Sequence, residues 1–122
     1  MAMFDLDLEQ LQQYRPTVAE PHDFDDFWTS TLAQAQQLDL APSFDKIDAS
    51  TPVFDSYDLT FTGFGGTRVK GWLTTPAGAE GPLPTVVEFL GYSGGRGFPF
   101  ARTVYAAAGW AHVIMDTRGQ GW

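Results

Sequence analysis

Hydrophobic positions follow two different rhythms along the chain, and the change between them sets the architecture. From Asp7 to Tyr14 the apolar residues Leu8, Leu11 and Tyr14 stand three apart, the spacing of one helical face, with Asp7 placed to cap it. Pro16 ends that segment. A longer helix is predicted from His22-Asp23, with acidic residues in its first turn, where the helix dipole favours them. Phe24, Phe27, Trp28, Leu32 and Ala35 form its apolar stripe, and Asp25, Asp26, Gln34 and Gln37 fill the other face. Such a stripe ordinarily packs on a core or a partner; a ligand groove is the other use of the same aromatics.

After Pro42 the period shortens to two. Residues 43–48 alternate weakly, as a short edge strand would. Residues 53–62 alternate clearly, with Tyr57, Leu59 and Phe61 set against Ser56, Asp58 and Thr60, which predicts a half-buried antiparallel strand. Gly63-Phe64-Gly65-Gly66 is a turn, and residues 67–75 return as the second strand of a hairpin. Residues 76–84 hold two glycines and three prolines and read as a surface loop. A central, buried strand is predicted over Thr85–Leu90, then a glycine-rich loop, a helix over Ala101–Ala108 closed by Gly109, and an apolar strand over Ala111–Asp116. A strand, crossover helix and strand make a βαβ unit, so these two strands are expected to be parallel. The last strand would then lie bare at a sheet edge, an arrangement soluble proteins avoid. The expectation is an α/β chain, with a helical extension over 1–41 and sheet strands over 42–122, completed by further polypeptide.

Composition narrows the partners. The 122 residues are 43% hydrophobic and 15% aromatic, which is enough for a packed domain. A net charge of −8 with only seven Lys and Arg argues against nucleic acid or an anionic membrane. There is no cysteine, which excludes a disulfide framework and a thiolate site. The first residues lack the basic and apolar regions of a secretory signal, and a cytoplasmic location is expected. Two distant histidines and scattered carboxylates offer no metal-ligand spacing, and the glycines do not form a dinucleotide fingerprint. No cofactor is expected.

Candidate chemistry gathers after the two parallel strands. Gly91-Tyr92-Ser93-Gly94-Gly95 fits the G-x-S-x-G pattern of a nucleophile elbow. A nucleophilic Ser93 needs a histidine within hydrogen-bond reach and a carboxylate to orient it. Neither histidine suits. His22 lies in the N-terminal helical region, and His112 begins its strand whereas Ser93 follows the end of a parallel one. At about 3.3 Å per residue, strand length alone separates them by roughly 13 Å. The same spacing keeps His112 from Asp116, so His112 reads as a packed strand residue. The alternative is that the glycines free the backbone to present N–H groups to developing negative charge, with Tyr92 N–H as donor and its ring walling the pocket. A purely structural strand–helix turn would use glycine in the same way. Asp116-Thr117-Arg118-Gly119-Gln120-Gly121 is placed on the same rim as Tyr92. There Arg118 is expected to brace loops through carboxylates and carbonyls, the other use of a guanidinium being an anionic substrate.

One ordered series of segments carries a family resemblance. Phe4-Asp5-Leu6, Tyr14-Arg15-Pro16, Asp23-Phe24-Asp25-Asp26-Phe27-Trp28, Tyr57-Asp58-Leu59-Thr60-Phe61, Val69-Lys70-Gly71-Trp72-Leu73, Gly91 to Gly97 and Asp116 to Gly121 occur in that order. The series resembles the N-terminal third of acetyl xylan esterases/cephalosporin C deacetylases, the seventh carbohydrate esterase family, with Arg118, Gly119 and Gln120 matching its Arg-Gly-Gln signature. The resemblance implies the N-terminal part of an α/β-hydrolase fold and removal of acetyl groups from xylo-oligosaccharides and cephalosporin C. It implies an oxyanion-hole donor at Tyr92 N–H, directly after Gly91, and a Ser-Asp-His triad beyond this chain's last residue. It also implies a cytoplasmic homo-oligomer, a hexamer, and no activity for this chain by itself. A noncatalytic domain whose Trp28, Trp72, Trp110 and Trp122 bind sugar or a partner protein is the competing reading.

Overall fold

The computed structural model describes residues 5–121, so Trp122 and the Phe4 that opens the family-like series lie outside the described residues. The chain forms two compact units, one of residues up to Thr31 and one from Leu32 onward. In the first, α1 (Leu8–Gln13) starts at Asp7, whose Oδ1 accepts the Gln10 N–H at 2.9 Å while Gln10 Oε1 accepts the Asp7 N–H at 3.3 Å. This reciprocal box satisfies two donors that a helix start otherwise leaves open. α2 (Phe24–Gln36) runs across the division between the units. Its stripe is exposed, and Trp28 meets the ring edges of Phe24 and Phe27 at 6.4 and 5.3 Å.

The second unit is a five-stranded sheet. Its strands are β1 (Ser43–Ile47), β2 (Phe54–Thr62), β3 (Arg68–Pro76), β4 (Thr85–Glu88) and β5 (Ala111–Met115), in the order β1-β2-β3-β5-β4. β1, β2 and β3 pair antiparallel, as the alternation predicts. β4 and β5 are parallel, as the βαβ reading predicts. The order corrects two expectations. β5, the apolar strand expected at an edge, sits inside the sheet, because its other side pairs antiparallel with β3. The edge belongs to β4, expected to be central; only four residues of it pair, and Val87 is 52% exposed. A strand that short presents few open backbone groups.

α3 (Val104–Ala107) is a single turn rather than the predicted Ala101–Ala108. The Arg102 carbonyl is turned to the His112 ring at 3.3 Å, which takes it out of any helical ladder. Gly109, at φ +88°, closes the turn.

Burial does not follow the hydrophobic alternation. Ser56, Thr74 and His112 are register partners across β2, β3 and β5, and all three are buried. The next row on that face is Asp58, Trp72, Ile114 and Glu88. Apolar Tyr57, Leu73 and Val113 form a row on the opposite face and are only half-buried. The polar face is covered because the loop after β4 lies over it and α3 contacts β3 and β5. Gly71 shows how closely the strands approach: a Cβ there would stand 2.7 Å from the Ile114 carbonyl oxygen.

Candidate active-site rim

Parallel β4 and β5 lie side by side, so the loops leaving their C-terminal ends meet on one rim. Open α/β sheets place ligands on that rim. In the first loop the Gly91 carbonyl accepts the Gly94 N–H at 3.2 Å, making a tight turn around Tyr92 and Ser93. In the second, the Thr117 carbonyl accepts the Gln120 N–H at 2.8 Å, with Gly119 at φ +79°.

The second loop holds the first at two points. Asp116 Oδ1 accepts the Arg96 backbone N–H at 2.6 Å, and Gln120 Oε1 accepts the Ser93 N–H in a short hydrogen bond. Asp116 is itself backed by Gly121, where a Cβ would fall 2.5 Å from the carboxyl carbon. The five residues from Asp116 to Gln120 thus act as a two-pronged brace under the residues from Ser93 to Arg96.

Arg96 completes the brace, and sequence reading passed over it. Its guanidinium lies 3.8 Å from the centre of the Trp72 ring, and its side chain is 14% exposed. Nη1 donates to Asp58 Oδ1 and to the Gly71 carbonyl, both at 2.7 Å, while Nε stands 3.4 Å from Asp116 Oδ2. Trp72 Nε1 donates to the Gly97 carbonyl at 2.8 Å, tying down the far end of the loop. Lys70 also reaches Asp58, at 3.0 Å. Burial works to raise the Asp58 pKa, but hydrogen bonds from Arg96 and Lys70 outweigh it and hold the carboxyl below its ordinary value. The signal in the sequence was an arginine enclosed by glycines, with Asp58 on one strand and Asp116 at the end of another that the fold brings together.

Arg118, expected to brace loops through carboxylates and carbonyls, reaches the carbonyl of a different loop. Its Nη1 donates to the Phe64 carbonyl at 3.4 Å and its guanidinium lies 5.6 Å from the Phe64 ring, at the β2–β3 turn. Together with Arg68, Lys70 and Gln120 it lines a groove of about 350 Å³.

Tyr92 is 97% exposed on this rim. Its N–H has no hydrogen-bond partner among the described residues, while the next N–H along, that of Ser93, is fixed by Gln120. Ser93 itself sits at φ +61°, a conformation rare for residues other than glycine. A nucleophile elbow also strains its serine, so the backbone does not by itself separate the two readings of this loop. The histidine does. His112 is 1% exposed, with Nδ1 at 3.3 Å from the Arg102 carbonyl and Nε2 at 3.0 Å from Glu88 Oε2. Glu88 is further held by Arg102 Nη1. Both ring nitrogens are occupied, and His112 is a packed strand residue. Trp72, one of the four tryptophans of the sugar-binding reading, spends its indole N–H on the loop and one face on Arg96.

The family of this rim is decided by comparison with known proteins. The acetyl xylan esterase (AXE1) family model matches residues 1–122. The chain belongs to the acetyl xylan esterase family. It is 31% identical over 111 residues to acetyl esterase Axe7A of Xylanibacter ruminicola, covering 86% of this chain and 24% of that protein. The acetyl xylan esterase structure from Paenibacillus sp. R4 superposes with a TM-score of 0.87 at 37% identity, over 96% of this chain and 38% of that one. Acetyl xylan esterase 1 from Thermoanaerobacterium sp. JW/SL YS485 gives a TM-score of 0.85 at 34% identity, over 98% of this chain and 37% of that one. The fold is accordingly that of the α/β-hydrolases, and the chain spans about a quarter to two-fifths of the length of these acetyl xylan esterase relatives.

Proposed function

We propose that this chain is the N-terminal segment of a serine esterase that deacetylates acetylated xylo-oligosaccharides and cephalosporin C. It supplies the oxyanion-hole loop, and the Ser-Asp-His triad lies on polypeptide outside these 122 residues. One observation carries this reading: the Tyr92 N–H has no partner among the described residues, on the C-terminal rim of the sheet, in a turn whose neighbouring residues are fixed by Gln120 and Asp116. A donor that is already positioned costs no reorganisation when an acyl oxygen takes up negative charge, and one such donor is typically worth about 10²–10³ in kcat.

Within this reading the attacking group comes from elsewhere, and the chain alone turns over no acetyl ester. The test uses the complete esterase and an activated acetate. Tyr92→Phe retains the backbone donor and should keep kcat within about threefold, because the side chain contributes no polar group to the reaction. A Tyr92→Phe loss as deep as that of a triad knockout would show that the phenol, not the N–H, carries the chemistry.

A further inference from the structure

The geometry points to Arg96 as a positioning residue for deacetylation, setting the Gly91–Tyr92 peptide, which carries the Tyr92 N–H, against the reacting acyl group. The inference rests on the oxyanion reading of that loop. The Arg96 side chain reaches several parts of the sheet. Arg96 binds Asp58 on β2, the Gly71 carbonyl and Trp72 ring on β3, and Asp116 directly after β5. Its own backbone N–H is captured by the same Asp116. One residue therefore refers the loop to three strands at once, through both its main chain and its side chain.

The chemistry of the contacts explains why an arginine is needed. The guanidinium lies over the indole while its N–H groups reach two carboxylates and a carbonyl. An ammonium on a lysine stem has no planar fork, and would meet one or two of these acceptors while losing the contact over the indole. The loop carries glycines at 91, 94, 95 and 97, and so has little stiffness of its own. Its order must be imposed. Gln120 fixes one end at the Ser93 N–H, and Arg96 fixes the other three residues later. Tyr92, adjacent to the first anchor, inherits its position from both.

Two readouts on the complete esterase test this. The first is kcat and KM for an activated acetate in Arg96→Ala and Arg96→Lys. The second is amide exchange by mass spectrometry over a peptide containing Ser93. The expected result for Arg96→Ala is a kcat lowered about 10²-fold with KM within about threefold, as for loss of a transition-state donor. Exchange at Ser93 should be at least about tenfold faster, reporting local opening. Arg96→Lys should recover only part of kcat, and added guanidinium ion should restore turnover in Arg96→Ala. Arg96→Lys keeps the test decisive should the alanine variant not fold. Unchanged exchange at Ser93 would overturn the role of Arg96 whatever the rate. Faster exchange with unchanged kcat would overturn the inference differently, by showing that the loop is ordered by Arg96 but does not serve the acyl oxygen.

Discussion

The backbone N–H of Arg96 donates to the Asp116 carboxylate at 2.6 Å, joining the loop after β4 to the end of β5. Asp116 is 9% exposed, and the Arg96 guanidinium approaches its second oxygen at 3.4 Å. A single carboxylate thus satisfies a main-chain donor and faces a half-enclosed cation. Everything proposed for Tyr92 depends on that joint holding.

Removing the carboxylate leaves the Arg96 N–H without its acceptor, while the guanidinium keeps Asp58 and the Gly71 carbonyl. Asp116→Ala is expected to destabilise the protein by about 1–3 kcal/mol, the usual cost of leaving a buried hydrogen-bond donor unsatisfied. Asp116→Asn, which keeps an acceptor for the Arg96 N–H, should cost less than half as much. Urea unfolding midpoints at matched m-values measure both, and equal losses would show that the charge alone matters.

Gly121 tests the same joint from behind. Its φ is +88°, and an added Cβ would lie 2.5 Å from the Asp116 carboxyl carbon. Gly66 is a fair control, with φ +80° and nothing within 4 Å of the added Cβ. Gly66→Ala should cost about 1–2 kcal/mol, the left-handed penalty alone. Gly121→Ala should cost more, because it also displaces the carboxylate, and should lower kcat where Gly66→Ala does not. Thermal unfolding and initial rates on the complete esterase compare the two.

Asp58 gives a pH dependence with a definite sign. Its carboxyl is held below the ordinary carboxylate value because hydrogen bonds from Arg96 and Lys70 outweigh the opposing burial. A depressed folded-state pKa means the unfolded chain binds the proton more readily. The Asp58 contribution is therefore full above the ordinary value of 3.8 and is lost as pH falls through the lower folded value. Stability measured from pH 6 downward should fall less steeply in Asp58→Asn than in the parent at the acid end. Parallel curves would deny Asp58 that role.

Ser93 is the residue on which the literal motif and the present account disagree. Glycine tolerates φ +61°, so Ser93→Gly removes the hydroxyl while relieving the backbone. Turnover of an acetyl ester by the complete esterase should stay within about threefold. A loss of 10⁴-fold or more, as for deletion of a nucleophile, would restore the elbow reading.

Much of this arrangement could be read from residue order, and what escaped did so for physical reasons. Local signals were clear: the Asp7 cap, the hairpin around Gly63–Gly66 and the parallel pairing of β4 with β5 all follow from period and punctuation. Sheet order did not follow, because nothing in the composition of residues 111–115 says that their free side will find β3. The buried face was also illegible. Alternation marks Tyr57, Leu59 and Phe61 as the inner set, yet Ser56 is more deeply buried, since the loop that covers its face is a long-range feature. At the rim the sequence pointed to the right two loops and to Arg118, which does reach a loop carbonyl, but not to Arg96. Arg118 belongs to a recognisable motif, whereas Arg96 gains its meaning only when Asp58, Trp72 and Asp116 are brought together in space.

The central claim is that residues 1–122 lend a backbone donor and leave the attack to another part of the protein. Labelling the complete esterase with a serine-directed phosphonate, followed by peptide mapping, asks this directly. The account predicts a single stoichiometric adduct on a serine outside these residues, with Ser93 unmodified. A phosphonyl group on Ser93 would contradict it.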